Sequence, residues 1–233
     1  MLSEYPEGIF YLVAYIFKIW YYIRMEKLCV IFGAGEVYSA RKKWADDDLI
    51  IAADGGYAAC RDCGIEPNVV IGDFDSGEMP TDPDALIVKL NRDKADTDTL
   101  AAVKVGLRRG YKTFVIYGGV GGRLDHTIAN ISTLNYLNAF DARGYLVDRD
   151  SVATVITDGK FTIPKAARGT VSVFAYGGTA SGVTLKNLSY TLDNAELTPE
   201  LPIGVSNATA VGDKKAGGEV AVKHGSLLIF FPR

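Results

Sequence analysis

The amino-acid sequence predicts an α/β protein with an all-β second half. Three observations carry that expectation. Between Met25 and about Asp150, short apolar runs alternate with segments of helical character. Several of those runs end in glycine or aspartate, the residues expected where a strand leaves a sheet and meets a ligand. From Ser151 onward the helical period vanishes, and β-branched runs are split by Asp158-Gly159, Gly177-Gly178 and Gly217-Gly218.

Taken in order, Leu28–Phe32 is an apolar run ending in Gly33-Ala34-Gly35, and Val37–Ala45 reads as a helix. Leu49–Ala53 is a second strand, ending at Asp54-Gly55-Gly56, and Tyr57–Cys63 is a short helix closed by Gly64. Val69–Ile71 and Ala85–Leu90 are further strands. Thr97–Arg109 is a helix closed by Gly110, with basic residues in its last turn, where the dipole favours them. Thr113–Tyr117 is a strand, Leu124–Phe140 a long helix and Tyr145–Val147 a sixth strand. Such alternation means βαβ units and a mostly parallel, Rossmann-like sheet. The later runs are Val152–Thr157, Phe161–Ile163, Thr170–Ala175, Gly182–Leu185, Glu219–Val222 and Leu227–Phe231. They predict a β-sandwich or small barrel. The division is therefore an extension over 1–24, an α/β domain over 25–150 and a β-sandwich domain over 151–233.

The chain has 233 residues, 48% apolar and 23% charged, the composition of an ordinary soluble globular protein. Its net charge of −3, without a long basic block, argues against nucleic-acid binding. Three cysteines argue against a disulfide framework and suit a reducing, cytoplasmic compartment. Ile9–Ile23 is apolar and aromatic but carries Lys18 and follows Glu4 and Glu7, which makes a poor signal peptide and a short membrane span. It reads as an upstream extension, with interfacial membrane contact the disfavoured alternative.

Gly72-Asp73-Phe74-Asp75-Ser76 is the most informative run. It follows a strand, and strand alternation points Asp73 and Asp75 to one face, within reach of one hard cation. Asp54 ends a neighbouring strand beside two glycines. Asp93-Lys94-Ala95-Asp96-Thr97-Asp98 precedes a helix: Asp96 or Thr97 caps it, Asp98 completes the carboxylate cluster, and Lys94 is placed for phosphate oxygens. Gly118-Gly119-Val120-Gly121-Gly122-Arg123-Leu124-Asp125-His126 joins a strand to the long helix. Its glycines expose backbone amides at a helix N-terminus, and Arg123 adds a forked cation, a combination suited to phosphate. Gly33-Ala34-Gly35 with Asp54 matches part of a dinucleotide fingerprint, broken by Tyr38 at the third glycine position. Cys60 and Cys63 lie within a helix and lack the further ligands that zinc requires.

Together these blocks resemble the thiamine pyrophosphokinase family. The resemblance rests on Ala53-Asp54-Gly55-Gly56, Pro67 through Ser76, Lys94 with Thr97-Asp98, and Gly118 through His126 followed by Asn130. In the second half it rests on Gly204-Val205-Ser206-Asn207 and Gly225-Ser226-Leu227-Leu228. It implies pyrophosphate transfer from ATP to the hydroxyethyl oxygen of thiamine, releasing AMP, in a homodimer with active sites at its interface. It implies magnesium held by acids at Asp54, Asp73, Asp75 and Asp98. It implies nucleotide contacts from Gly55, Lys94, Thr97, Gly119, Gly121, Gly122, Arg123, Asp125 and His126, and thiamine contacts from Ser206 and Asn207. Asp73, Asp75, Asp98 and Arg123 carry the chemistry, with Asp73 or Asp98 the candidate general base. Ala95 replaces an acid common in the family, and no C-terminal tryptophan is present to stack on thiamine. Two alternatives stand beside this reading: an NAD-dependent oxidoreductase using Gly33, Gly35 and Asp54, and a non-catalytic nucleotide- or thiamine-sensing module.

Overall fold

The structure, a computed structural model, describes residues 26–40, 43–74, 85–90, 96–209 and 217–233. These form two compact units, Glu26–Thr157 and Asp158–Arg233. The expected extension over 1–24 lies outside the described residues.

The first unit is built on strands β1 (Leu28–Phe32), β2 (Leu49–Ala53), β3 (Val69–Gly72), β4 (Leu86–Lys89), β5 (Thr113–Tyr117), β6 (Arg143–Val147) and β7 (Ser151–Thr157). Their order is β4-β3-β2-β1-β5-β6-β7, parallel throughout except for the antiparallel β6–β7 pair. Every residue of β1, β2, β3 and β5 is buried. That accounts for their continuous apolar runs without alternation: both faces are covered. Each buried Val, Leu, Ile or Phe among them contributes about 1.5–3 kcal/mol of burial free energy.

The chain moves outward from β1 to β4, then returns to place β5 on the other side of β1. This reversal makes the carboxyl ends of β1 and β5 a topological switch point, the position where open α/β sheets bind ligands. Helices α1 (Gly56–Cys63), α2 (Asp98–Arg108) and α3 (Leu124–Asn138) connect the strands. Gly64 closes α1 in the left-handed conformation at φ 67°, its N–H reaching back to the carbonyls of Arg61 and Cys60. Of the two expected caps for α2 it is Thr97 that serves, accepting from the Leu100 N–H at 3.2 Å.

The helix expected over Val37–Ala45 is absent from its described residues, 37–40 and 43–45. Tertiary contacts override its local pattern. The Gly35 N–H is tied to the Gly118 carbonyl, Tyr38 lies against the Arg149 guanidinium, and Trp44 packs edge-on to Tyr117.

The second unit holds β8 (Lys160–Thr162), β9 (Thr170–Lys186), β10 (Leu192–Leu197), β11 (Asn207–Ala208), β12 (Glu219–Ala221) and β13 (His224–Pro232). All pair antiparallel, in the order β13-β9-β12-β8, with β10 and β11 also on β9. Val171, Val173, Ala175, Val183 and Leu185 of β9 point into the core at alternate positions. The two strands expected over Thr170–Ala175 and Gly182–Leu185 are one: Gly177 and Gly182, at φ 74° and 68°, bend it without ending it. β10 and β11 have no counterpart among the expected strands. β10 exposes Asp193, Asn194 and Glu196 and carries register shifts, so no apolar run marks it.

Candidate functional site

The carboxyl edge of the sheet is assembled from backbone packed on backbone. The Gly33 N–H donates to the Tyr117 carbonyl and the Gly35 N–H to the Gly118 carbonyl, both at 2.8 Å. A Cβ on Gly35 would lie 2.6 Å from the Gly118 oxygen and 2.9 Å from that of Val120. Gly118 itself sits at φ 62°. Next along the edge, a Cβ on Gly55 would lie 2.9 Å from that of Ala34, and one on Gly56 would lie 1.8 Å from the Phe32 carbonyl. Then the Asp54 N–H donates to the Ile71 carbonyl at 2.7 Å, and a Cβ on Gly72 would lie 3.7 Å from Asp54 Oδ1. The loops ending four neighbouring strands, β5, β1, β2 and β3, therefore touch in series.

That accounts for Gly33-Ala34-Gly35 without a dinucleotide. Its glycines admit the Gly118 turn, and no helix follows among the described residues. The oxidoreductase alternative loses its one structural premise.

Asp54 and Asp73 stand at adjacent strand ends, both half-buried, and Asp54 is held at φ 48°. The alternation expected to align Asp73 with Asp75 stops at Gly72, where β3 ends. Phe74 takes φ 56°, a left-handed conformation that costs a bulky residue about 1–2 kcal/mol and turns the chain sharply. Asp75 and Lys94 lie outside the described residues. Asp98 occupies the first turn of α2. Asp54, Asp73 and Asp98 do not by themselves close a metal cluster, since no three of His, Cys, Asp and Glu gather so among the described residues. As a donor set they are hard carboxylate oxygens, which fit magnesium and do not fit a soft metal. Asp96 is engaged with the helix instead. Both its oxygens accept from Lys104 Nζ, at 2.8 and 2.7 Å, tying the approach to α2 onto α2 itself.

In the glycine loop, Gly121 and Gly122 have φ 86° and 64°, and a Cβ at either would meet open space. Their demand is conformational, whereas that at Gly118 is also steric. Gly119 is buried, and its carbonyl accepts from Asn130 Nδ2 at 2.8 Å. Arg123 and Asp125 form a two-pronged exposed ion pair, at 2.6 and 3.2 Å, and Asp125 Oδ1 also accepts the His126 N–H. The hydrogen bond from Arg123 holds the Asp125 carboxyl below the usual carboxylate range, and the same bond raises Arg123. The forked cation of this loop is therefore one half of an ion pair.

In the second unit a Cβ on Gly204 would lie 1.8 Å from the Val173 carbonyl, so the 203–206 turn presses directly onto β9. Ser206 follows, exposed at φ 59°, its N–H donating to Ser172 Oγ at 3.1 Å. Asn207 is buried, and its side chain grips Tyr190: Oδ1 accepts the Tyr190 N–H at 2.9 Å and Nδ2 donates to the Tyr190 carbonyl at 2.7 Å. Its amide thus faces the protein, and it presents Tyr190, a residue 73% exposed. Sequence reading missed Tyr190. The signal there is one aromatic between Ser189 and Thr191.

Two family models match this chain. The one described as thiamin pyrophosphokinase, catalytic domain, matches residues 40–146. The one described as thiamin pyrophosphokinase, vitamin B1 binding domain, matches residues 160–226. A thiamine pyrophosphokinase from Bacillus subtilis (strain 168) is 26% identical over 167 residues, 68% of this chain and 77% of that protein. The crystal structure of a Bacillus subtilis thiamine pyrophosphokinase has a TM-score of 0.76 at 21% identity, over 89% of this chain and 99% of that one. The yeast thiamin pyrophosphokinase structure has a TM-score of 0.73 at 17% identity, over 89% and 86%. The structural likenesses establish a shared mixed α/β fold, and the two family matches run in order through most of the sequence. The chain belongs to the thiamin pyrophosphokinase family and is an enzyme of that activity, transferring pyrophosphate from ATP to thiamine.

Proposed function

We propose that the triphosphate of ATP lies along the carboxyl edge of the parallel, Rossmann-like sheet, and that thiamine is held by the Ser206 turn of a β-sandwich unit. One observation carries the first part: four strand-end loops touch in series and bring the Gly118–Gly122 turn, Gly55 and Asp54 onto one edge. Pyrophosphoryl transfer needs positioning and charge neutralisation more than covalent help, and this edge offers both.

In this reading Asp54, Asp73, Asp75 and Asp98 hold magnesium, which neutralises phosphate charge when bound. The amides of Gly119, Gly121 and Gly122 and the Arg123 guanidinium bind phosphate oxygens, with Lys94 and His126 beside them. Arg123 reaches phosphate by sharing or leaving Asp125. Thr97 uses a lone pair to cap α2 and keeps its hydroxyl proton for a phosphate oxygen. The thiamine hydroxyl oxygen bonds to the β-phosphorus, the bond from that phosphorus to the AMP oxygen breaks, and the hydroxyl proton passes to Asp73 or Asp98. Ser206 offers its hydroxyl to thiamine, while Asn207 acts through Tyr190, whose ring supplies the aromatic face that no C-terminal tryptophan provides here. Homodimerisation, active sites at the dimer interface and a cytoplasmic location belong to the same proposal. Among the described residues no helix is long and apolar enough to cross a membrane.

A product assay tests this reading. Purified protein with ATP, thiamine and magnesium is expected to yield AMP and thiamine diphosphate in equal amounts, and chelation of the metal to stop both. ATP and thiamine binding with no turnover would instead support the sensing alternative.

A further inference from the structure

The side chain of Asn130 projects from the second turn of α3 and is only 6% exposed. Its Nδ2 donates to the Gly119 carbonyl at 2.8 Å, eleven residues back along the chain. One peptide earlier, the Gly118 carbonyl accepts from the Gly35 N–H, also at 2.8 Å. No cis peptide bond is present among the described residues, and in a planar trans peptide the N–H points opposite to the carbonyl of the same unit. Two consecutive carbonyls are thus held by protein donors. The paired N–H groups, those of Gly119 and Val120, are turned away from those donors. Gly118, at φ 62°, is left-handed and leads directly into these two amides, and a run of successive N–H groups that passes through a left-handed residue makes an anion-binding concavity.

We propose that Asn130 is a positioning residue for the phosphate loop, fixing the Gly119–Val120 peptide so that the Val120 N–H faces the triphosphate. The inference rests on the reading of this loop as the phosphate cradle. The site is tight: a Cβ on Gly119 would lie 3.1 Å from Asn130 Nδ2 and 2.5 Å from Leu146 Cδ1, so the loop has no room to approach more closely. Without the amide donor the buried Gly119 carbonyl loses its partner, and rotation of that peptide toward water carries the Val120 N–H out of position.

The test compares Asn130→Leu, which keeps volume and removes the donor, with Asn130→Asp, which keeps shape and faces the carbonyl with an acceptor. AMP formation is measured against ATP and thiamine separately, with thiamine binding and the melting curve as measures of folding. Both variants are expected to raise KM for ATP, or lower kcat/KM for ATP, about tenfold or more, while thiamine affinity stays within about twofold. Either folded variant with wild-type ATP kinetics would overturn the proposal. Equal loss of ATP use, thiamine binding and cooperative melting in both variants would overturn it too, in favour of a general packing role. Wild-type protein that forms no AMP would remove the nucleotide reading itself, and the proposal with it.

Discussion

The strand-end edge of Glu26–Thr157 and the 203–207 turn of Asp158–Arg233 are built by the same two devices. Each presses a glycine onto a strand carbonyl, Gly56 onto Phe32 and Gly204 onto Val173. Each uses a buried asparagine amide to grip another segment's backbone, Asn130 on Gly119 and Asn207 on Tyr190. What they display differs. The first edge shows carboxylates, glycine amides and a paired arginine. The second shows Tyr190, Leu201, Ile203 and Val205, all exposed and apolar or aromatic. A charged, amide-rich edge suits a triphosphate, and an aromatic, apolar surface suits a flat ring. Backbone close approach builds both loops, and on the proposed reading side-chain identity sets which ligand each receives.

The largest effect tests that shared device. Gly56→Ala and Gly204→Ala each place a Cβ 1.8 Å from a carbonyl oxygen, little more than a covalent bond length. Each is expected to lose about 3 kcal/mol or more in urea denaturation. Gly121→Ala, in open space at φ 86°, is expected to lose only about 1 kcal/mol. Equal effects at all three would mean that steric approach does not build these edges.

The next pair separates the two regions by substrate. Tyr190→Ala is expected to raise KM for thiamine about tenfold and leave KM for ATP unchanged. Arg123→Ala is expected to raise KM for ATP about tenfold and leave KM for thiamine unchanged. Crossed effects would sink the division of labour.

A smaller effect concerns the Arg123–Asp125 pair. The Asp125 carboxyl is lowered in the folded protein, so its stabilising contribution is present above the ordinary carboxylate pKa and is lost as pH falls through the lowered value. Melting curves of wild type and Asp125→Asn are expected to differ slightly near neutrality, to converge on acidification, and to converge also in high salt, because the pair is exposed. The smallest effect is on the thiols. Burial pushes Cys60 up to about 12 and raises Cys29 as well. Neither is expected to react with a thiol reagent at neutral pH until the protein unfolds.

The buried strands were legible in the sequence because a short, unbroken apolar run bounded by turn residues suits a strand covered on both faces. Leu28–Phe32, Leu49–Ala53 and Thr113–Tyr117 appear as expected. Gly64 and Thr97 were readable as helix ends because their chemistry is local. The 37–45 segment was misread because its shape is set by Gly118, Arg149 and Tyr117, none of them near in sequence. β10 was invisible because its register shifts break the alternation of Leu192, Ala195 and Leu197 with the exposed polar residues between them. At the site, residue types were legible and their partners were not. Nothing local reveals that Asn207 faces Tyr190, seventeen residues back, and residue type alone does not say that Arg123 pairs with Asp125 or that Phe74 breaks the pleat after Asp73.

The central claim is that carboxylates at the strand ends act on the phosphates of ATP, and Asp73→Asn tests it most directly, since it removes one charge and almost no volume. With magnesium, ATP and thiamine saturating, the variant is expected to melt within a few degrees of wild type and to form AMP about a hundredfold more slowly. AMP formation by the folded variant at the wild-type rate would contradict the account.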